Sequence, residues 1–209
     1  MLSVESAIAV GAHIPSTKYF PKGKVINVRQ AYEYDYIIFY RWLSPDLYER
    51  GRVMARLVAE MIQKSSRRIW LDQHQIIRSA EPKEVTKRIA QTFLTVSQII
   101  ILAAPGDWDR FSNMDDIHRW EWEMSLRSGE YMLTITSSKL ILTTSDKQVW
   151  LLQYGMSEND QPPSKEQLAA GMEAHCPKLA KLFMSKDVHI RSLSMDSIDT
   201  VVSEISETR

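Results

Sequence analysis

The sequence predicts a single α/β domain in which helices cover both faces of a central parallel sheet. Short apolar segments rich in β-branched and aromatic residues alternate with longer segments of helical periodicity. This alternation is typical of βαβ units, whose crossover connections make neighbouring strands parallel. The segments YDYIIFY (34–40) and SQIIILAAP (97–105) are continuously apolar, as strands buried on both faces are. We therefore expect a flavodoxin-like strand order of 2-1-3-4-5.

The beginning of the chain departs from this pattern. Two prolines and two glycines interrupt any periodicity in the first 30 residues. We expect residues 1–30 to form an N-terminal extension and residues 31–209 to form the domain.

The first half of the domain alternates strand and helix. Ser and Asp are good helix N-caps, and proline suits the first turn of a helix. The predicted elements are strand one at 34–40, a helix from Ser44 or Asp46 to about Lys64, strand two at 68–72, a helix from Pro82 to Leu94, and strand three at 97–105.

The second half continues the alternation, with one small hairpin expected after strand four. The predicted elements are a helix at 115–128, strand four at 131–135, a hairpin of KLILTT and QVWLLQY around Ser-Asp-Lys, a helix at 164–184, strand five at 188–193, and a closing helix capped by Ser194. Ligands of such sheets bind at the carboxyl ends of the strands, near the switch point between strands one and three.

Composition narrows the classes of function. Lys plus Arg and Asp plus Glu each number 26, so the chain has no basic excess for nucleic acid or an anionic membrane. Cys176 is the only cysteine, and the five histidines show no zinc-site spacing. The chain lacks a signal-peptide pattern and any apolar run of the ~20 residues that a membrane span needs. We expect a cytoplasmic protein without a metal, a nucleic-acid partner or a membrane partner.

Three common α/β families are disfavoured by the loops. The turn after strand one, FYRWLSPD, contains no glycine, so it suits neither a dinucleotide-binding turn nor a P-loop. Strand three ends in Ala-Ala-Pro, whereas a phosphoacceptor receiver domain needs an aspartate there.

The same loops resemble those of the Toll/interleukin receptor (TIR) family. The segment DYIIFYR (35–41) resembles the family's first strand, D-x-F-I-S-Y-R, and Trp70-Leu71-Asp72 resembles the end of its second strand. The segment IIILAAPG (99–106) resembles its third strand. The stretch DIHRWEWEMSLRSGE (116–130) resembles the family's D-W-V-x-x-E-I-x-x-A-L-x-x-G without a gap. The resemblance covers residues 34–135, with the remainder similar only in topology.

The resemblance implies a reaction and a catalytic residue. Enzymatic TIR domains cleave the bond between nicotinamide and ribose in NAD, and Glu121 matches their catalytic carboxylate. A carboxylate stabilises the oxocarbenium-like ribosyl centre, as in glycoside hydrolysis. NAD is then the substrate and no cofactor is needed. The products implied are nicotinamide and ADP-ribose or a cyclic ADP-ribose signal, and hydrolysis and cyclisation stay open.

The family's substrate pocket extends the list of candidate residues. Phe39, Tyr40 and Arg41 match the segment that lines the NAD site, and Asp72 lies at the entry to the loop after strand two. Neighbours of Glu121 complete the candidate substrate-binding set, which comprises Phe39, Tyr40, Arg41, Asp72, Ile117 and Trp120. Ile117 stands where catalytic members carry tryptophan, which implies a different pocket wall or a domain of weak or no activity.

Two other functions remain open at this stage. The first is a non-catalytic TIR interaction module that assembles a signalling complex, and the second is a nucleoside deoxyribosyltransferase-like enzyme. The resemblance to short bacterial TIR proteins of antiphage defence implies homotypic self-association and a downstream effector that senses the nucleotide product. Four tryptophans are candidates for interface contacts, with core packing as the alternative: Trp108, Trp120, Trp122 and Trp150.

Overall fold

The computed structural model describes residues 32–42, 50–75, 82–128, 134–136, 139–141, 146–156 and 162–208. The expected extension at 1–30 and the expected helix caps Ser44 and Asp46 lie outside these ranges. Among the described residues, no helix combines the length and the apolar character needed to cross a membrane.

Strands and helices alternate through the domain. In chain order the elements are β1 (Tyr34–Phe39), α1 (Arg50–Lys64), β2 (Ile69–Trp70), α2 (Asp72–Gln75), α3 (Pro82–Leu94), β3 (Val96–Ala103), a 3₁₀ helix (Asp107–Arg110), α4 (Ile117–Leu126), β4 (Thr134–Thr136), β5 (Lys139–Ile141), β6 (Gln148–Gln153), α5 (Lys165–Glu173), α6 (Pro177–Ser185), β7 (His189–Ser192) and α7 (Ile198–Glu207). The predicted helices ending at Lys64 and spanning Pro82 to Leu94 are confirmed.

The main sheet has five parallel strands in the order β2-β1-β3-β6-β7. The parallel α/β fold predicted from the sequence is therefore confirmed, with β1 and β3 in central positions. Alternate strand residues enter two separate cores. Ile99 and Ile101 face the core beneath α3, α4, α5 and α6, whereas Ile100 and Leu102 face the core beneath α1 and α7. Helices thus cover both faces of the sheet.

The fourth strand of this sheet differs from the predicted one. Strand four was expected at 131–135. Residues 131–133 lie outside the described ranges, and β4, which contains the last two residues of that segment, pairs with β5 in a separate antiparallel sheet of two strands. The segment expected to complete the hairpin, QVWLLQY, instead supplies β6, which pairs with β3 from Gln98↔Gln148 to Ala103↔Gln153. The hairpin of β4 and β5 therefore precedes the fourth parallel strand, β6, which is buried on both faces.

Two predictions about the C-terminal helices were also wrong in detail. The single helix expected at 164–184 is two helices, because Pro177 lacks the N–H that would continue α5 and instead begins α6. The closing helix has Ser197 at its N-cap position. Ser194, the expected cap, accepts a hydrogen bond from the backbone N–H of Ser197 at 3.2 Å and so shapes the preceding turn.

Candidate functional site

Polar and charged side chains gather at the carboxyl edge of the sheet. Tyr40 and Arg41 follow β1, Asp72 follows β2, Asp107 follows β3, and Asp116 begins α4. The side chains of the first four are almost fully buried. This edge adjoins the switch point between β1 and β3, where the sequence predicted a ligand site.

Arg41 connects three elements at this edge. Its Nη1 donates to Asp116 Oδ2 at 2.7 Å, its Nε donates to Asp107 Oδ1 at 3.2 Å, and its Nη2 donates to the Asp107 carbonyl at 2.5 Å. Gly106 adopts a left-handed backbone conformation with φ 81°, which lets Asp107 turn back to accept from the N–H of Ala104 at 2.8 Å. The guanidinium is thus held by protein acceptors on three sides.

Asp72 is the centre of a second network. Its carboxylate accepts from the Tyr40 hydroxyl at 2.7 Å, from the Gln73 backbone N–H at 2.6 Å and from the Trp42 indole N–H. Burial raises the pKa of Asp72 above its usual range, and these donors oppose that shift. Burial and the adjacent Asp72 carboxylate raise the pKa of Tyr40, so its hydroxyl remains a donor. The network fixes Trp42 although 44% of that residue is exposed.

Glu121 lies on the second turn of α4 and is only 5% exposed. Its Oε2 lies 3.0 Å from His118 Nδ1, and Trp122 Nε1 donates to His118 Nε2 at 3.2 Å. Within the described part of the chain, Oε1 of Glu121 has no hydrogen-bonding partner. The helix spacings of three and four residues bring these three side chains together on one face.

The environment of Glu121 disfavours its charge. Burial raises the pKa of Glu121 well above its usual range, and the nearby Asp72 and Asp116 carboxylates raise it further. The Arg41 guanidinium acts in the opposite direction. A carboxyl group perturbed by burial and by specific charged neighbours is a recurrent feature of functional sites.

The predicted substrate-binding residues divide into two groups. Tyr40, Arg41 and Asp72 join the polar networks at the carboxyl edge. Phe39 and Trp120 belong to the apolar core, and the partly buried Ile117 packs against it. The Trp120 indole N–H is buried and has no hydrogen-bonding partner among the residues that the structure describes.

The tryptophans considered for an interface serve mainly in the core. Trp120, Trp122 and Trp150 are at most 4% exposed. Trp122 packs against Phe111 and Phe183, with ring centroids 5.8 and 5.9 Å apart. Core packing is therefore the correct interpretation for these three tryptophans.

The sequence interpretation omitted three residues that define the site. Asp107 and Asp116 hold Arg41, and His118 holds Glu121. A signal for His118 was present, because it precedes Glu121 by three residues and Trp122 by four on a predicted helix. No local pattern links Arg41 to aspartates 66 and 75 residues away.

Comparison with known proteins gives a distant similarity among solved structures. No protein-family model matches the chain, and no curated protein matches it. Among solved structures, the chain is similar to a metazoan TIR-STING receptor from C. gigas, solved in complex with 2',3'-cGAMP. The two share 11% sequence identity with a TM-score of 0.46, over 88% of this chain and 43% of the receptor chain. The chain thus spans less than half the length of that receptor.

Proposed function

We propose that the protein cleaves the nicotinamide–ribose bond of NAD, with Glu121 as the catalytic carboxylate. The observation that carries this proposal is the position of Glu121: it is buried at the carboxyl edge beside the β1–β3 switch point, with one oxygen held by His118 and the other unpartnered among the described residues. The resemblance of residues 116–130 to the catalytic helix of TIR domains supports the same residue.

The proposed chemistry needs one carboxylate and one nucleophile to which the ribosyl group is transferred. The bond between ribose C1′ and the nicotinamide nitrogen breaks, and its electron pair leaves with neutral nicotinamide. The ionised Glu121 carboxylate stabilises the positive ribosyl centre. Water then adds at C1′ and loses a proton to give ADP-ribose, or a nitrogen of the same molecule's adenine adds to give a cyclic product.

Arg41 has a supporting part in this proposal. Its donors are engaged by Asp107 and Asp116, so we assign it to shaping the carboxyl edge and to moderating the negative charge around Glu121. The family resemblance implies direct contact with substrate phosphates. For such contact, Arg41 has to release one of these carboxylates and bind a phosphate in its place.

Incubation of purified protein with NAD, followed by chromatographic separation of products, tests the proposal. Glu121→Gln keeps the size of the side chain and removes its charge, so we expect turnover to fall by about 100-fold or more. Glu123→Gln is a matched control on the same helix, because Glu123 is part-exposed and pairs with Arg127 at 3.2 Å. No turnover by wild-type protein at high concentration overturns the enzyme assignment, and equal loss in both variants overturns the role of Glu121.

A second candidate function is a non-catalytic module that assembles a signalling complex. The observation that favours it is that polar groups of the site are hydrogen-bonded to one another. Arg41 and Tyr40 both donate to carboxylates of the chain itself. A domain of this kind self-associates in solution, which analytical ultracentrifugation detects. Self-association without NAD turnover supports this function. In the enzymatic alternative, a separate effector sensing the nucleotide product is the expected partner.

A further inference from the structure

Three side chains of α4 form a continuous hydrogen-bonded series whose proton positions can be assigned. The Trp122 indole nitrogen only donates, so His118 Nε2 must be the acceptor in the 3.2 Å bond between them. An imidazole with a bare Nε2 carries its proton on Nδ1. His118 is therefore the donor to Glu121 Oε2 across 3.0 Å.

The surroundings of His118 favour this neutral form. The imidazole is 4% exposed and packs beside the rings of Phe111 and Trp122, both with centroids 6.3 Å away. Burial and the Arg41 guanidinium lower the pKa of His118 well below its usual range. The positively charged form would also place a proton on Nε2, directly opposite the Trp122 N–H.

We infer that His118, fixed as the Nδ1–H tautomer by Trp122, is the positioning residue for Glu121, holding Oε2 and leaving Oε1 for the reacting centre. The identity of the reacting centre rests on the proposed function. The tautomer of His118 and its bond to Glu121 rest on the hydrogen-bond geometry. A carboxylate without such a donor is free to rotate, whereas a carboxylate held at one oxygen presents the other in a fixed direction.

The donor also affects the charge of Glu121. A hydrogen bond given to an ionised carboxylate stabilises that form and lowers its pKa. Burial, Asp72 and Asp116 act in the opposite direction, and Arg41 assists His118. His118 thus helps Glu121 to be ionised in a site that otherwise favours its protonated form.

A spectroscopic experiment tests this assignment without a substrate. Imidazole nitrogen-15 NMR of the wild-type protein distinguishes the two tautomers and the charged form. We expect His118 to show a protonated Nδ1 and a bare Nε2 throughout the range from about pH 5 to pH 8, in which ordinary histidines titrate. A protonated Nε2, or a titration of His118 within that range, overturns the inference.

Two variants of similar size test the positioning role. His118→Leu removes the donor, and His118→Asn retains an N–H near the position of Nδ1. Carbon-13 NMR of the Glu121 carboxyl is expected to show a higher pKa in the leucine variant and a return towards the wild-type pKa in the asparagine variant. Equal Glu121 pKa values in the two variants contradict the role.

Kinetics supply a separate readout if the wild-type protein turns over NAD. Loss of a charge-assisted hydrogen bond is expected to lower kcat about tenfold to hundredfold in His118→Leu, with KM nearly unchanged and the acidic limb of the rate profile moved to higher pH. His118→Asn is expected to restore most of kcat. Absence of wild-type turnover overturns the proposed function alone, because the NMR measurements still decide the position and tautomer of His118.

Discussion

At the scale of single residues, the carboxyl edge brings three acidic side chains close to one guanidinium. Asp107 illustrates the result: burial raises its pKa to about 6 even though Arg41 lies 3.2 Å away. Desolvation therefore outweighs the ion pair. The protonation state of each carboxyl at this edge depends on its neighbours, so changing one acid alters the chemistry of another.

Asp116→Asn is expected to lower the pKa of Glu121. It removes a negative charge that raises this pKa, and it releases the Arg41 Nη1 from its ionic partner. Asparagine is also a good N-cap, so the bond from Arg119 N that begins α4 is retained. The acidic limb of the NAD turnover profile should move to lower pH.

The control variant for this prediction is Asp115→Asn, which makes the same change of charge at an exposed neighbouring position. Water and salt screen an exposed charge, so the profile should stay near that of the wild type. Equal movement of both profiles, or movement of the Asp116→Asn profile to higher pH, would contradict the electrostatic explanation. Carbon-13 NMR of the Glu121 carboxyl measures the same shift without turnover.

At the scale of elements, the packing of α1 against the end of β1 depends on Gly51. A Cβ at this position would overlap the carbonyl oxygen of Arg41 and lie 3.0 Å from the Tyr154 hydroxyl. Because backbone cannot rotate aside, Gly51→Ala should destabilise the protein by about 1–3 kcal/mol. Urea unfolding measures this loss. Val53→Ala, at a 63% exposed position on the same helix, is the control and should change stability by less than about 0.5 kcal/mol.

The elements also show what the sequence could and could not predict. Elements with a strong local signal could be predicted. The continuous apolar runs indicate β1 and β3, and a proline at a first helical turn indicates the start of α3. The choice of fourth strand failed because YMLTI and QVWLLQY have similar composition, and only long-range pairing with β3 distinguishes them.

The same distinction applies to the candidate site. Glu121 was predicted from a local stretch, and its His118 partner lies on the same helix. The partnership of Arg41 with Asp107 and Asp116 depends on the complete sheet, because it joins chain positions 66 and 75 residues apart. Sequence patterns of short range contain no information about such pairs.

At the scale of the whole molecule, a buried lysine lies at the edge of the sheet opposite the candidate site. Lys147 is 2% exposed and precedes β6. Its Nζ donates to the Val96 carbonyl and lies over the rings of Phe93 and Tyr32, at 5.3 and 5.4 Å from their centroids. Burial lowers its pKa to about 8.

This lysine should make stability depend on pH. Its folded-state pKa is lower than its unfolded value, so the protein is destabilised when the amine is protonated and gains stability as pH rises through 8. Between pH 7 and about 9.5 the free energy of unfolding should increase by about 2 kcal/mol from this group. Urea unfolding of Lys147→Met should lack this increase. The exposed Lys178→Met should retain it, and an increase of the same size in Lys147→Met would refute the assignment.

The hydrogen-bonded series on α4 has a consequence for the order of folding. Contacts three and four residues apart close as soon as a helix forms, on a timescale near a microsecond. The bonds from Arg41 to Asp107 and Asp116 join segments that are far apart in the chain. They form more slowly, because the intervening loop must close first. The Trp122–His118–Glu121 arrangement thus requires contacts within a single helix, whereas the setting of Arg41 requires the assembled sheet.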